Sequence, residues 1–269
     1  MRLAIDHRTR YRFSEPQARL VQMLRMTPAD HNDQTTVAWR IDVDCDARLR
    51  HGRDGFGNAT TMLYAEGPID ALEICATGEV LTTEASGVVR AGSEPLPPAL
   101  FARTTPLTGA DDDVRALAAA MGVGEPLERL HRLTAAIHAR VSLDAAALPE
   151  PGRTAAEVLA AGRGPARDLA HLFLAAARSE GLPVRYVSGY RLFEDGGDAP
   201  RPHAWAEGWC EGLGWVGFDP VAGMSPDERY VRIAVALDAM AATPVAGIRQ
   251  GMGEEVLDAE VVVERLAGD

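Results

Sequence analysis

The chain has 269 residues and a formal net charge of −12. That length suits one large domain or two modest ones. The acidic balance argues against a nucleic-acid or anionic-membrane partner, since those surfaces need clustered Lys and Arg.

Residues 1–13 alternate charged and apolar side chains, without the long apolar core of a signal peptide or a membrane span. The cysteines, Cys45, Cys75 and Cys210, form no CxxC pair and no metal-ligand spacing. An odd, sparse set predicts reduced thiols and a cytoplasmic location. Leu3 to Phe13 ends in period-two alternation, and Thr36 to Asp44 places Val37, Trp39, Ile41 and Val43 on one face. Asp54-Gly55-Phe56-Gly57-Asn58 is a turn, followed by strands over Thr60 to Tyr64 and Ile69 to Val80. These predict an N-terminal antiparallel β domain over 1–100, closed by a proline-rich boundary in 91–110.

Helical periodicity follows in 101–269. Asp111 to Met121 is one helix; the next has Pro126 near its start and Leu127, Leu130, Leu133, Ile137 and Val141 on one stripe. Thr154 and Glu157 form a capping-box pattern ahead of a short helix ending at Gly162. Gly164-Pro165 then opens a helix from Ala166 to Gly181, with Asp168 in its first turn and Leu169, Phe173 and Leu174 facing a core. Strands return at Val184–Tyr190, His203–Cys210, Trp215–Asp219, Arg229–Leu237 and Glu255–Val263. The fold class is α+β, with helices grouped before a mostly antiparallel sheet.

The stretch from His203 to Asp219 permits a geometric test. With Glu211, Gly212 and Leu213 as a hairpin loop, Cys210 lies opposite Gly214 and Trp209 faces Trp215. His203 and Asp219 then become diagonal cross-strand neighbours, unless a one-residue bulge changes the parity. An imidazole beside a carboxylate is held in one tautomer, as a general base requires. A lone strand His is more often structural, and an Asp before Pro is often a turn residue.

The helix at Ala166 bears on that choice. A cysteine there would have its thiolate stabilised by the helix N-terminus. Alanine has no nucleophilic group, and by itself it reads as a core residue.

Taken together, these segments resemble the bacterial transglutaminase-like family of cysteine-protease-like proteins. The pattern Gly-x-Cys-x-Asp-x-Ala-His is met at Gly164, Asp168, Ala170 and His171, with Ala166 in place of the cysteine. His203-Ala204-Trp205 and Gly214-Trp215-Val216-Gly217-Phe218-Asp219-Pro220 match its strand motifs. The Asp54–Asn58 turn and the His7–Pro16 stretch match its N-terminal region. The resemblance implies a helix-plus-sheet domain like that of papain and the transglutaminases. It also implies a Cys-His-Asp order at positions 166, 203 and 219, and acyl transfer or hydrolysis of amides through a thioester. No metal or organic cofactor is implied, and the partner is a peptide or an amide- or amine-bearing ligand. Asp168, His171, Ser188, Tyr190 and Trp205 are expected to support or line the cleft, whereas Trp209 is expected to pack.

Ala166 fits a natural loss of the nucleophile or a substitution made to silence it. The chain is thus an amide-processing enzyme without its sulfur, or a binding protein using the old cleft. Alternation turns Cys210 away from His203, which leaves Ser188 as the one candidate replacement. Oligomeric state is open, with an exposed β edge as one route to pairing.

Overall fold

A computed structural model describes residues 1–84, 86–90, 95–145, 153–193 and 202–266. The opening strand β1, Arg2–Leu24, is twice the expected length. Leu3, Ile5, His7, Thr9 and Tyr11 are all buried, as the period-two pattern requires. β2 is Gln34–Val43, β3 is Ala47–Arg53 and β4 is Ala59–Thr82. The two strands expected at 60–64 and 69–80 are therefore one.

The pairing of β1 with β4 shifts register at Arg12/Gln17 and again at Gln17/Arg19. Gly67 lies at this irregularity, where a Cβ would stand 1.9 Å from the Gln17 carbonyl oxygen. Only glycine allows the two backbones to pass so closely.

β5 is the short pair Val88–Val89. The helices are α1 (Asp112–Ala118), α2 (Pro126–Arg140), α3 (Ala155–Ala161) and α4 (Ala166–Ser179). Both halves of the predicted capping box at Thr154 and Glu157 are present. Two short strands, β6 (Ser142–Leu143) and β7 (Arg163–Gly164), pair in parallel just ahead of α4. The remaining strands are β8 (Val184–Arg191), β9 (His203–Cys210), β10 (Gly214–Phe218), β11 (Tyr230–Ala236), β12 (Val245–Gln250) and β13 (Glu255–Arg265).

Among the described residues there are two main antiparallel sheets. The first has β1 and β4 at its centre, with β12 and β13 beside β1 and β2 and β3 beside β4. The second runs β11–β8–β9–β10–β5. A boundary at residue 100 thus cuts across the sheets. β5 belongs with the second sheet, and β12 and β13 return to the first; residues 91–94 of the expected boundary lie outside the described residues. The reason is non-local: each strand goes where an unpaired edge and an apolar face accept it.

The second sheet receives α4 on one face. Ala204 and Ala206 of β9 share a core with Leu169, Phe173 and Leu174 of α4, and this core extends to Leu3, Ile5 and Val80 of the first sheet. The Asp54–Asn58 turn joins the two layers from the other side. Asp54 accepts from the backbone N–H groups of Phe56 and Asn58, and the Asn58 side chain bonds both N and O of Val235 in β11, at 2.8 and 2.7 Å.

Candidate active site

The β9–β10 hairpin has the register the sequence predicts. Cys210 is opposite Gly214, Trp209 opposite Trp215, and Ala206 opposite Phe218, with no bulge. Gly212 and Gly214, at φ 80° and 92°, turn the chain. Asp219 follows β10 directly, so it and His203 fall on one face. His203 Nε2 lies 2.8 Å from Asp219 Oδ2, with both residues buried. The carboxylate thus places the imidazole proton on Nε2. Nδ1 has no partner among the described residues, so its lone pair is left to take a proton.

Two further groups reach the same carboxylate. The Tyr230 hydroxyl donates to Asp219 Oδ2 at 2.7 Å, and Arg191 Nη1 lies 3.5 Å from it. Oδ1 accepts from the Val221 backbone N–H at 2.8 Å. Burial alone would raise the Asp219 pKa, but the His203 charge and hydrogen bond, the Tyr230 hydroxyl and Arg191 outweigh it and hold the carboxyl below its usual range. Neither Arg191 nor Tyr230 was singled out from the sequence. Arg191 ends β8 and Tyr230 begins β11, and only the order β11–β8–β9–β10 brings them beside Asp219.

Trp205 shares the His203 face. The two rings stack with centroids 6.2 Å apart, and Trp205 meets Tyr230 edge-on at 5.5 Å. A Cβ on Gly189 would stand 2.5 Å from the Trp205 ring, so a glycine is needed for the indole to cross β8. Buried to 2% exposure, Trp205 supports the pair from below and does not line an open cleft.

Directly paired residues of antiparallel strands present their side chains to the same face. Ser188 pairs with Ala204, and Gly189 with His203. Ser188 therefore points to the α4 side, away from the imidazole. Cys210 also lies on that side, as predicted, and burial pushes its thiol up to about 11. Tyr190 does not line a cleft: its hydroxyl lies 2.9 Å from Nδ1 of His7 in β1, tying the two sheets. Trp209 packs on Trp215 as expected.

Ala166 is the first residue of α4, 8% exposed, after Pro165 at the N-cap. Proline suits this place, because its missing N–H precedes the helical ladder. Asp168 is fully buried and paired with Arg153 at 3.3 Å and Arg167 at 2.8 Å. His171 accepts from the Ala239 N–H at 3.0 Å, and burial, aided by Arg167, pushes its pKa down to about 4. Asp168 and His171 thus anchor α4 to its surroundings. Among the described residues no group of three or more His, Cys, Asp or Glu could hold a metal ion, and no helix is long and apolar enough to cross a membrane.

A helix packed on one face of an antiparallel sheet that carries a buried His-Asp pair defines an α+β protein of cysteine-protease-like architecture. Residues 3–81 match the bacterial transglutaminase-like N-terminal region, and residues 115–220 match the transglutaminase-like superfamily. The chain belongs to that superfamily and carries its bacterial N-terminal region. It is 28% identical to an uncharacterized protein of Mycobacterium leprae, ML0607, over 99% of both chains. It is 27% identical to an uncharacterized protein of Mycobacterium tuberculosis, Rv2569c, over 100% of this chain and 94% of that one. Its fold is that of a candidate cysteine protease from Cytophaga hutchinsonii, with a TM-score of 0.78 at 18% identity, covering 100% of this chain and 92% of that chain.

Proposed function

We propose that the chain is an amide-processing scaffold of the transglutaminase-like type, silent as written because position 166 carries a methyl group in place of a thiol. The His203–Asp219 pair carries this reading: it is buried, held in one tautomer, and supported by Tyr230 and Trp205. In the restored reaction, Nδ1 of His203 takes the thiol proton and the thiolate attacks an amide carbonyl. The imidazolium then protonates the leaving amine, and water or a second amine releases the thioester. The start of α4 supplies the positive dipole end that favours a thiolate and an oxyanion formed beside it. This chemistry requires position 166 and His203 to meet across the start of β9.

Ala166→Cys tests that requirement. The variant is expected to react with a chloroacetamide at position 166 faster than at Cys45, Cys75 or Cys210, whose thiol pKa values are all raised, chiefly by burial. Peptide mapping gives the rate at each site, and turnover is sought on a panel of peptide amides. Adding His203→Ala is expected to slow labelling at position 166 by at least ~10-fold. An unchanged rate would show that the two positions do not act together and would remove the enzyme reading.

The second reading, a peptide- or amine-binding protein, is favoured by the lack of a replacement nucleophile on the His203 face. Neither Ser188 nor Cys210 faces that imidazole. In that case the Ala166 protein binds a peptide amide in calorimetric titration, and Ala166→Phe, which fills the place of the missing thiol, weakens the binding.

A further inference from the structure

β13 pairs with β1 in one unbroken antiparallel register, from Leu3 opposite Arg265 to Phe13 opposite Glu255. Two flanking bonds fix which way its backbone groups point. The Leu266 N–H donates to Arg2 O at 2.9 Å, and the Ser14 N–H to Glu254 O at 3.0 Å. Backbone polar groups alternate sides along a strand. The even-numbered residues of β13 therefore serve β1. The odd-numbered ones, Glu255, Leu257, Ala259, Val261, Val263 and Arg265, turn their N–H and C=O groups outward. Among the described residues no strand pairs with this outer edge.

The edge has no proline, no lysine and no bulge; Val256, Leu257 and Val262 are exposed along it, interspersed with Glu255, Asp258, Glu260, Glu264 and Arg265. The opposite margin of the sheet differs. There β2 carries a register shift between Thr36 and Ala38, and β3 carries Arg48, Arg50 and Arg53. Bulges and edge charges are the usual devices against unwanted pairing.

We propose that the outer edge of β13 pairs antiparallel with β13 of a second copy of this chain, about a two-fold axis at Glu260, merging the two first sheets into one. This register opposes every outward residue to another outward residue. Leu257 meets the partner's Val263, and Ala259 meets the partner's Val261. Glu255 meets the partner's Arg265, and symmetry makes this pair twice. Glu255 also lies 3.5 Å from Arg249 of its own chain, which keeps it in place. A slip by two residues leaves end residues unpaired and separates Glu255 from Arg265. The opposing contacts lie on the even-numbered face, where Glu260 meets the partner's Glu260 with Asp258 of each chain diagonal to it; Arg10 of the same chain lies 3.4 Å from Glu260 and 3.7 Å from Asp258. The strand is thus self-complementary in hydrogen bonding, in apolar contact and in end charge, as an isologous interface requires.

Sedimentation equilibrium of the full chain over a concentration series tests this. The wild-type chain is expected to shift from monomer to dimer as concentration rises. Ala259→Pro removes an outward N–H while sparing every bond to β1, and is expected to stay monomeric with an unchanged far-ultraviolet circular dichroism spectrum. Glu255→Arg and Arg265→Glu are each expected to weaken dimerisation about tenfold, because each acts at two symmetric pairs. The double reversal is expected to restore it. A wild-type chain that is monomeric throughout overturns the proposal, as does a dimer indifferent to Ala259→Pro. Should that variant misfold, the charge reversals decide: failure of the double variant to recover overturns the register.

Discussion

Glu207→Gln probes the clamp that holds the site-bearing strands together. Glu207 of β9 is fully buried between Arg185 of β8, at 2.7 Å, and Arg232 of β11, at 2.8 Å. Arg185 is fully buried too, its guanidinium 3.9 Å above the Trp215 ring. Burial alone would push the Glu207 carboxyl up, but Arg232 and Arg185 more than reverse this and hold it at about 2, against an ordinary 4.5. A depression of that size corresponds to about 3 kcal/mol of folding stability. The folded pKa lies below the unfolded one. The contribution is therefore complete above pH 4.5 and is lost as pH falls through about 2. Removing the charge between two buried guanidiniums by mutation costs a similar ~3–5 kcal/mol. For a chain of this size, Glu207→Gln should lower the melting temperature by roughly 5–10 °C at pH 7. By pH 3 the gap from wild type should shrink to less than half, since the unfolded wild-type chain has by then taken up the proton that the folded one still resists. Scanning calorimetry of both proteins across this range measures it. An unchanged melting temperature at pH 7, or a gap that stays constant down to pH 3, would refute the assignment of a stabilising buried carboxylate.

Three further outcomes are expected. Asn58→Ala leaves the N–H and C=O of Val235 without their side-chain partner, and should cost about 2 kcal/mol in urea denaturation. Tyr230→Phe removes the hydroxyl that donates to Asp219 and should cost ~1.5–3 kcal/mol at neutral pH, with a smaller loss in acid where the carboxylate is protonated. Burial holds both His7 and His171 at about 4, so the unfolded chain takes up protons first; stability should fall as pH drops from about 6.5 toward 4. The His7→Asn/His171→Gln double variant should show a flatter melting temperature over that window.

Much of this protein is local, and what is local is legible in the sequence. Pro126 and the Leu127–Ile137 stripe mark α2, Thr154 and Glu157 cap α3, and Gly181 ends α4, because each signal acts within a few residues. The hairpin is equally short-range. Three loop residues fix the β9–β10 register, and two-residue parity then sets His203 beside Asp219. Position 166 could be read as a vacant nucleophile place from its flanking Gly164, Asp168 and His171.

What required the tertiary structure is everything that depends on which distant edge a strand joins. β1 and β4 each run on past their expected ends because they cover one another. β12 and β13 return to β1 across more than two hundred residues, which no local pattern announces. Tyr230 and Arg191 reach Asp219, and Glu207 finds Arg185 and Arg232, solely through the strand order of the second sheet. Ser188 and Tyr190 lie on the α4 side of the second sheet for the same reason: alternation gives two faces, but only packing decides which one meets α4. Sequence thus determined the helices and the β9–β10 hairpin that sets His203 beside Asp219. The folded sheets decided what surrounds that pair and which edge is left open.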